Sequence, residues 1–565
     1  MASMSKILGN LSRNALAILL LSQLASGATI SREDSLGAVA SESKICSEIG
    51  IGLLQRGGNA ADALVGTTLC VGVIGMQHSG IGGGGFMLVR GSDGTYESID
   101  FRETAPAAAF QDMYKDNPMA SVLSGLASGV PGDLRGLEYV HNKYGALPWR
   151  AVCNPAIHVA RYGFPVTEDL VRYMYEATKK GNTFLTDDPQ WSIDFAPNGT
   201  LLGLGEILTR KRYANTLEAV AKHGAKAFYE GEIAQYTINA LAAANGTMTL
   251  SDLANYRVSI RDPISITYKG YNLYSCGVPS GGSVALSILK IIEGYPSTTD
   301  LNLSTHRIDE AMRFSYAARG ELGDPDFFNY MTAFEADMLR PKTAEKIRSR
   351  IDDERTKNVT DYNPKGYSMP ENHGTSHIVT SDRSGLSITL TSTVNLLFGS
   401  QLVVPETGVI MNNEMNDFSI PGVPNAFGFV PSPINYIAPN KRPLSSVTPI
   451  IVTHPNGTLY LTIGAAGGSR IITSTVQAIW HVLDHNMSLP DAIKEPRMHD
   501  QLMPAATTFE YLFDNSTVEG MRERGHNVTW VRPGYSAVQG VRRLWNGTFE
   551  AASEPRQLNS GGLAV

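Results

Sequence analysis

The chain has 565 residues, 42% hydrophobic and 18% charged, with no acidic or basic block; such a composition supports large packed cores and excludes a disordered chain. Lys and Arg number 47 against 54 Asp and Glu, a net charge of −7, so no cationic excess can neutralise phosphates and nucleic acid is excluded as the main partner. At roughly 150 residues per domain, length alone suggests three or four domains.

Residues 1–28 carry Lys6 and Arg13, an apolar run from Ala15 to Leu21, and the small residues Ala25, Ser26, Gly27 and Ala28. That is the order of a cleaved secretory signal. The run is shorter than the roughly 20 residues a relaxed transmembrane helix needs, and a retained signal anchor is the alternative. Apolar positions Ile45, Ile49 and Leu53 predict a helix over 44–55, ended by Arg56-Gly57-Gly58, and Asn59 can cap a second helix running to about residue 73. In an antiparallel pair of these helices Cys46 and Cys70 lie about equally far from the turn, so they can form a disulfide; two separate buried thiols fit equally well. The pairing of Cys153 and Cys276 is left open.

Gly80 to Gly85 satisfies G-x-G-x-x-G literally, but a dinucleotide fingerprint needs a strand before it and a helix after it. Here the order is reversed: helix precedes, and residues 86–90 and 96–101 read as a β-hairpin. Tight turning or close backbone approach is the preferred reading. The chain has no phosphate loop, no H-E-x-x-H and no G-x-S-x-G, and its twelve His and four Cys show no metal-ligand spacing. Nine Asn-x-Ser/Thr sequons follow the leader, at Asn198, Asn245, Asn302, Asn358, Asn456, Asn486, Asn515, Asn527 and Asn546. With the leader they point to the eukaryotic secretory route and N-glycosylation.

Residues 375–380 and 386–395 are rich in β-branched side chains around a turn at 382–385, which predicts a hairpin. Counting outward from the turn sets Thr391 to Thr393 opposite Thr375, within a residue or two. By pattern alone this is a solvent-facing, Thr-rich strand. Residues 412–417 by themselves read as an Asx-turn cluster and Arg102 as a surface ion-pair partner. Gly467-Gly468 read as a turn after a strand over 459–463, and the Pro- and Gly-rich residues 428–443 as a loop.

Together these segments resemble the γ-glutamyltransferase (glutathione hydrolase) family of N-terminal nucleophile hydrolases. The resemblance runs from about Ser41 to Leu563, through Gly57 to Ala63, Gly80 to Gly85, Phe101 to Pro106, Gly129 to Gly132, Gly374-Thr375-Ser376-His377, Thr391 to Ser400, Asn412 to Met415, Pro443 to Ser446 and Gly464 to Gly468. It implies an α+β fold, a four-layer αββα sandwich built as one large unit, and a precursor that cuts itself between Gly374 and Thr375. The products would be a large subunit of residues 29–374 and a small catalytic subunit of residues 375–565, held as a heterodimer.

The freed Thr375 would then be both nucleophile and N-terminus, its α-amine serving as the base that a weak hydroxyl nucleophile needs. The resemblance assigns Thr393 to orienting Thr375 and the backbone N–H groups of Gly467 and Gly468 to an oxyanion hole. Arg102, with Ser445 and Ser446, would clamp the α-carboxylate of a γ-glutamyl group, and Asn395, Glu414 and Asp417 its α-amino group. The expected substrates are glutathione and other γ-glutamyl compounds, with water, amino acids or dipeptides as acceptors, and no cofactor or metal. Asn416 departs from the family, which commonly has Asp there. An acylase on the same scaffold would lack the full clamp, and a catalytically dead binding protein would have no need of Thr375, Thr393 and Gly467-Gly468. Secretion, the cell surface or the vacuole remain as destinations.

Overall fold

The computed structural model describes residues 35–296, 299–368, 374–422 and 430–565; the leader lies outside the described residues. The two predicted N-terminal helices form as α1 (Lys44–Gln55) and α2 (Ala60–Ile74). The Asn59 side chain accepts from the N–H groups of Ala61 and Asp62, while Asp62 accepts from Asn59 N–H. That reciprocal cap satisfies helix donors that would otherwise be orphaned. The helices pack so that Cys46 and Cys70 are joined by a disulfide, their Cα atoms 5.3 Å apart. Cys153 and Cys276 are free and buried in different cores, and do not pair.

Strands β1 (Gly37–Ser41), β2 (Gly84–Arg90), β3 (Tyr96–Phe101), β4 (Ser259–Arg261), β5 (Ile264–Tyr268) and β6 (Tyr271–Ser275) precede residue 374. After it come β7 (Ser376–Asp382), β8 (Ser387–Thr393), β9 (Ile450–Thr453), β10 (Leu459–Ala466), β11 (Ala537–Arg543), β12 (Phe549–Ala552) and β13 (Gly561–Ala564). One antiparallel sheet has the order β13-β1-β7-β8-β2-β3-β4, the other β12-β11-β10-β9-β6-β5. Both sheets therefore contain strands from the two sides of residue 374, interleaved in the first sheet and joined at the β9–β6 pair in the second. The hairpin predicted at 86–101 is β2–β3, and the glycines before and within β2 have a packing reason: a Cβ on Gly85 would sit 1.9 Å from the Thr391 carbonyl oxygen, and one on Gly83 2.0 Å from that of Thr393. Close backbone approach, not a cofactor, requires them.

The sheets face each other through β7 and β8 on one side and β10 and β11 on the other. Helices α1 and α2 cover the outside of the first sheet, and α3 (Gly282–Glu293) with α5 (Arg470–Asp484) covers the second; α4 (Leu301–Arg319) packs outside α3. The result is the expected four-layer αββα arrangement, with one apolar core under each helical layer. Every residue of β7 and β8 is buried, so the solvent-facing reading of the Thr-rich hairpin is replaced. Its hydroxyls find partners on both faces, as buried hydroxyls must: Thr380 Oγ1 donates to the Ala60 carbonyl at 2.8 Å on the helical side. Ser387 Oγ and Thr462 Oγ1 are 2.6 Å apart, and His377 reaches Thr391 Oγ1 at 2.8 Å and Thr389 Oγ1 at 3.0 Å. Gly464 leaves room for the His377 ring, whose Cε1 would lie 2.3 Å from a Cβ there. Eight of the nine sequon asparagines are exposed; Asn302 is half-buried.

Candidate active site

Ser376 pairs with Ser392 across β7 and β8, so one step outward sets Thr375 against Thr393, as the count from the turn anticipated. Thr375 is buried at 7% exposure. The Thr393 hydroxyl donates to the carbonyl oxygen of Gly374 at 2.5 Å and accepts from the Asn395 N–H at 2.7 Å. Thr393 has a single proton to donate, and in the continuous chain it goes to the carbonyl that precedes Thr375. A Cβ on residue 374 would lie 2.4 Å from the Asn395 carbonyl oxygen, so only glycine fits beside Thr375.

Strand β10 runs to Ala466, three residues past the predicted end, and α5 begins at Arg470. Gly467 and Gly468 make the connection with φ of +125° and +60°, a conformation open to glycine and costly for other residues. They deliver backbone N–H groups to the positive end of a 15-residue helix. Thr375, Ala466 and Gly467 line one cavity of about 400 Å³; Gly468 is not among its walls.

The six residues expected to clamp the substrate come together in space. Arg102, at the end of β3, ion-pairs with Glu414 through Nη1 and with Asp417 through Nη2. Its Nε donates to the Pro443 carbonyl at 3.3 Å. Asn395 Nδ2 donates to the Asn413 carbonyl at 2.9 Å, next to Glu414. Ser445 Oγ accepts from Val447 N–H at 3.2 Å, and Ser446 Oγ accepts from Arg319 at 3.0 Å. Opposite charges taken out of water pair with each other, so the clamp is a single buried ion cluster. Burial opposes charge on Arg102, but Glu414, Asp417 and Glu103 outweigh it and hold the guanidinium protonated. The described part of the 428–443 loop is stitched to this cluster: Asn435 Nδ2 donates to the Asp417 carbonyl at 2.7 Å and Asn435 Oδ1 accepts from Leu444 N–H at 3.0 Å.

A model of the gamma-glutamyltranspeptidase family matches residues 46–563. The chain belongs to that family. A glutathione hydrolase proenzyme of Arthroderma benhamiae is 54% identical over 544 residues, 94% of this chain and 93% of its own. Among solved structures, a cephalosporin acylase from Bacillus halodurans superposes with a TM-score of 0.81 at 26% identity, over 95% of this chain and 97% of that one. The gamma-glutamyltranspeptidase of Helicobacter pylori, 29% identical, gives 0.54 over 60% of this chain and 94% of that one. The acylase likeness spans the whole αββα unit.

Within this member of the gamma-glutamyltranspeptidase family, two groups beside the clamp escaped the reading of the sequence. Glu103 is fully buried, 4.0 Å from Arg102, with neither oxygen hydrogen-bonded by the protein, and burial pushes its carboxyl up to about 8. Arg319, at the end of α4, brings a second buried guanidinium to Ser446. Glu103 adjoins a motif residue and was within reach of inspection; Arg319 lies 217 positions from Arg102 (319 − 102) in an unremarkable helix. Asn416 donates to Ser121 Oγ at 2.7 Å, so its amide serves a loop contact and takes no part in the ion cluster. One group outside the site, His306, Glu310 and His526, brings possible metal-ligand atoms within 4.8 Å of one another. Its atoms already engage each other, Tyr362, Thr356 and the Asp352 carbonyl, and it is read as a hydrogen-bonded network.

Proposed function

We propose that this chain is a self-cleaving γ-glutamyltransferase and glutathione hydrolase with Thr375 as nucleophile. The observation that carries the reading is the contact between the Thr393 hydroxyl and the Gly374 carbonyl, with Thr375 adjoining both that carbonyl and the Gly467 wall. In self-cleavage the Thr375 hydroxyl adds to the Gly374 carbonyl, which Thr393 polarises. The amide C–N bond breaks, which frees the Thr375 amine as an ester to Thr375 Oγ forms, and water hydrolyses that ester to release the Gly374 carboxylate and the Thr375 hydroxyl. That amine then takes the Thr375 hydroxyl proton when the enzyme attacks a γ-glutamyl amide, and N–H groups at Gly467 and Gly468 stabilise the oxyanion, each worth about 2.7 to 4 kcal/mol. The released nitrogen leaves with that proton, and water or an amine opens the γ-glutamyl ester.

The clamp supports a γ-glutamyl acyl group. Glu414 Oε2 and Asn395 Oδ1 are buried with no hydrogen-bond partner in the protein. The amide oxygen accepts as it stands and the carboxylate oxygen when ionised, so they call for a donor, which an α-ammonium supplies. Arg102, Arg319, Ser445 and Ser446 supply donors for the α-carboxylate. An acyl group without an amino-acid head would leave the acceptors unpaired. Hydrogen-bonded pairing of strands from both sides of residue 374 in both sheets supports two products that stay together as a heterodimer. The proenzyme designation of the Arthroderma relative supports processing. Leader, exposed sequons and the disulfide support the secretory route, to the exterior, the cell surface or the vacuole; among the described residues no helix is long and apolar enough to cross a membrane.

A denaturing gel of purified protein tests the cut. Wild type should give fragments of residues 29–374 and 375–565, and Thr375→Ala a single band with no hydrolysis of a chromogenic γ-glutamyl amide. A single full-length band from active wild type would refute self-cleavage.

A further inference from the structure

Two of the nine sequons meet at one end of the second sheet. Asn456 is in the turn that joins β9 to β10, and Asn546 in the turn that joins β11 to β12. Strands β10 and β11 pair antiparallel, Leu461 against Arg542, so the start of one adjoins the end of the other and the two turns lie side by side. A cavity of about 420 Å³ opens between them, and both sequons furnish its walls: Thr458 from the first and Gly547 from the second, with His454, Tyr460, Arg543 and Trp545 around them.

Trp545 is 99% exposed, more than any other large apolar side chain among the described residues. A lone exposed tryptophan is ordinary, but this one precedes an attachment asparagine and shares its cavity with an aromatic cluster. Tyr460 packs on Tyr271 and His454 with ring centres 4.9 and 5.0 Å apart. In each turn the amide oxygen is the atom that the fold uses. Asn456 Oδ1 accepts from Thr458 N–H at 3.0 Å, and Asn546 Oδ1 accepts from Thr548 N–H at 3.1 Å and from its hydroxyl at 2.7 Å. Each Nδ2, the atom a glycan bonds, stays outside these contacts, and both asparagines are exposed. The C–H face of a pyranose, polarised by its oxygens, suits the negative face of an aromatic ring. Its hydroxyls need partners at the edge. Arg543 donates from Nη2 to the Arg383 carbonyl at 3.3 Å and has further N–H groups to offer. A neutral sugar leaves the Arg542–Glu550 pair, at 2.7 Å, undisturbed.

We propose that Asn456 and Asn546 are both N-glycosylated and that their N-acetylglucosamine cores fill this cavity against Trp545 and Tyr460, covering the aromatic patch. The inference rests on the secretory reading proposed above. Before folding, Nδ2 of each asparagine attacks the anomeric carbon of an oligosaccharide carried on a lipid pyrophosphate. The C–N bond forms, the C–O bond to the pyrophosphate breaks, the lipid pyrophosphate leaves and Nδ2 gives up one proton. Folding then brings the two attachment points together. Strand β10 runs eight residues from here to Ala466, roughly 25 Å at the rise of a strand, so the sugars stand clear of the candidate active site.

The test uses the full chain with its own leader, secreted from a yeast host, with sugars read by glycopeptide mass spectrometry. Asn456 and Asn546 should both be occupied. Endoglycosidase H should release these two glycans from the folded protein about three- to tenfold more slowly than that of the exposed Asn198, the range of an aromatic contact, and equally fast after denaturation. Trp545→Ala should bring the Asn546 glycan to the Asn198 rate; so exposed a side chain is removed without loss of fold, which circular dichroism reads. Sugar missing from either site while other sequons carry it, folded-state release as fast as at Asn198, or protection that survives Trp545→Ala each overturns the inference and leaves the secretory reading standing. Sugar at none of the nine sequons overturns both.

Discussion

Two buried charge clusters adjoin helix α4, one along its length and one at its last residue, Arg319, and they differ in what they leave undone. The network around its N-terminal half joins His306, Glu310, Arg313, Asp500 and His526. His306 Nδ1 meets His526 Nε2 at 2.8 Å and its Nε2 faces the Asp352 carbonyl at 2.9 Å. Glu310 accepts from Tyr362 OH at 2.7 Å and from Thr356 Oγ1 at 2.7 Å, and Arg313 reaches Asp500 at 3.1 Å. These contacts pair both Glu310 oxygens and both His306 nitrogens, while Arg313 Nε is left without a hydrogen bond and His526 Nδ1 faces Asp309 at 3.0 Å. The cluster at Arg102, Glu103, Glu414 and Asn395 instead holds several acceptors that the protein does not pair. Buried charge by itself therefore says little about function; a network whose acceptors are paired stitches the fold, and one with unpaired acceptors has a place for a ligand.

Matched substitutions can break this comparison. The largest separation is expected from changes at Arg102 and Arg313; lysine at position 102 keeps the charge and loses the planar fork. Arg102→Lys should raise KM for a γ-glutamyl anilide by about 10- to 100-fold, the equivalent of one or two charge-assisted hydrogen bonds, with kcat changed far less. Steady-state kinetics read it, and an unchanged KM would remove Arg102 from the clamp. Arg313→Ala should instead cost about 3–5 kcal/mol of stability by leaving a buried charge unpaired, with KM of the folded enzyme unmoved; denaturant titration beside kinetics decides. A KM shift of the Arg102 size in that variant would erase the distinction.

The smallest and most selective effects are in pH dependence, where the two clusters should slope in opposite directions. Burial raises Glu103 from 4.5 to about 8, so the folded state holds a proton that the unfolded chain releases. Its contribution is present below 4.5 and lost as pH rises to 8, and wild type should lose stability relative to Glu103→Gln across that window. Burial lowers His306 from 6.5 to about 4. Here the unfolded chain takes up the proton first, so the contribution is present above 6.5 and lost as pH falls to 4. Wild type should lose stability relative to His306→Gln on acidification. Melting temperatures of the three proteins from pH 4 to 8 measure both slopes, and slopes of the same sign would show that one of the two assignments is wrong.

Much of the fold was legible because it rests on local rules. The Asn59 cap, the α1–α2 pair, the β2–β3 hairpin and the β7–β8 hairpin each follow from periodicity and turn chemistry within about 30 residues, and the facing of Thr375 and Thr393 followed from counting. The disulfide between Cys46 and Cys70 was geometrically possible, but only packing chose it over two thiols. In the candidate site, the family motifs marked Arg102, Glu414 and Asp417 but not that they would neutralise one another. Arg319 carried no signal, because residues brought together from hundreds of positions apart leave no spacing to read.

The opening length suggested several domains, and the resemblance of ordered motifs to one family replaced that with a single αββα unit and, as proposed here, a cut before Thr375. Motif order carried the resemblance and hairpin register the facing of Thr375 and Thr393, since each is a property of neighbours along the chain. Which proton donor meets which acceptor was decided only in three dimensions. The Thr393 hydroxyl went to the Gly374 carbonyl and the Arg102 guanidinium to Glu414 and Asp417, because buried donors and charges pair with whatever the packed sheets bring nearest.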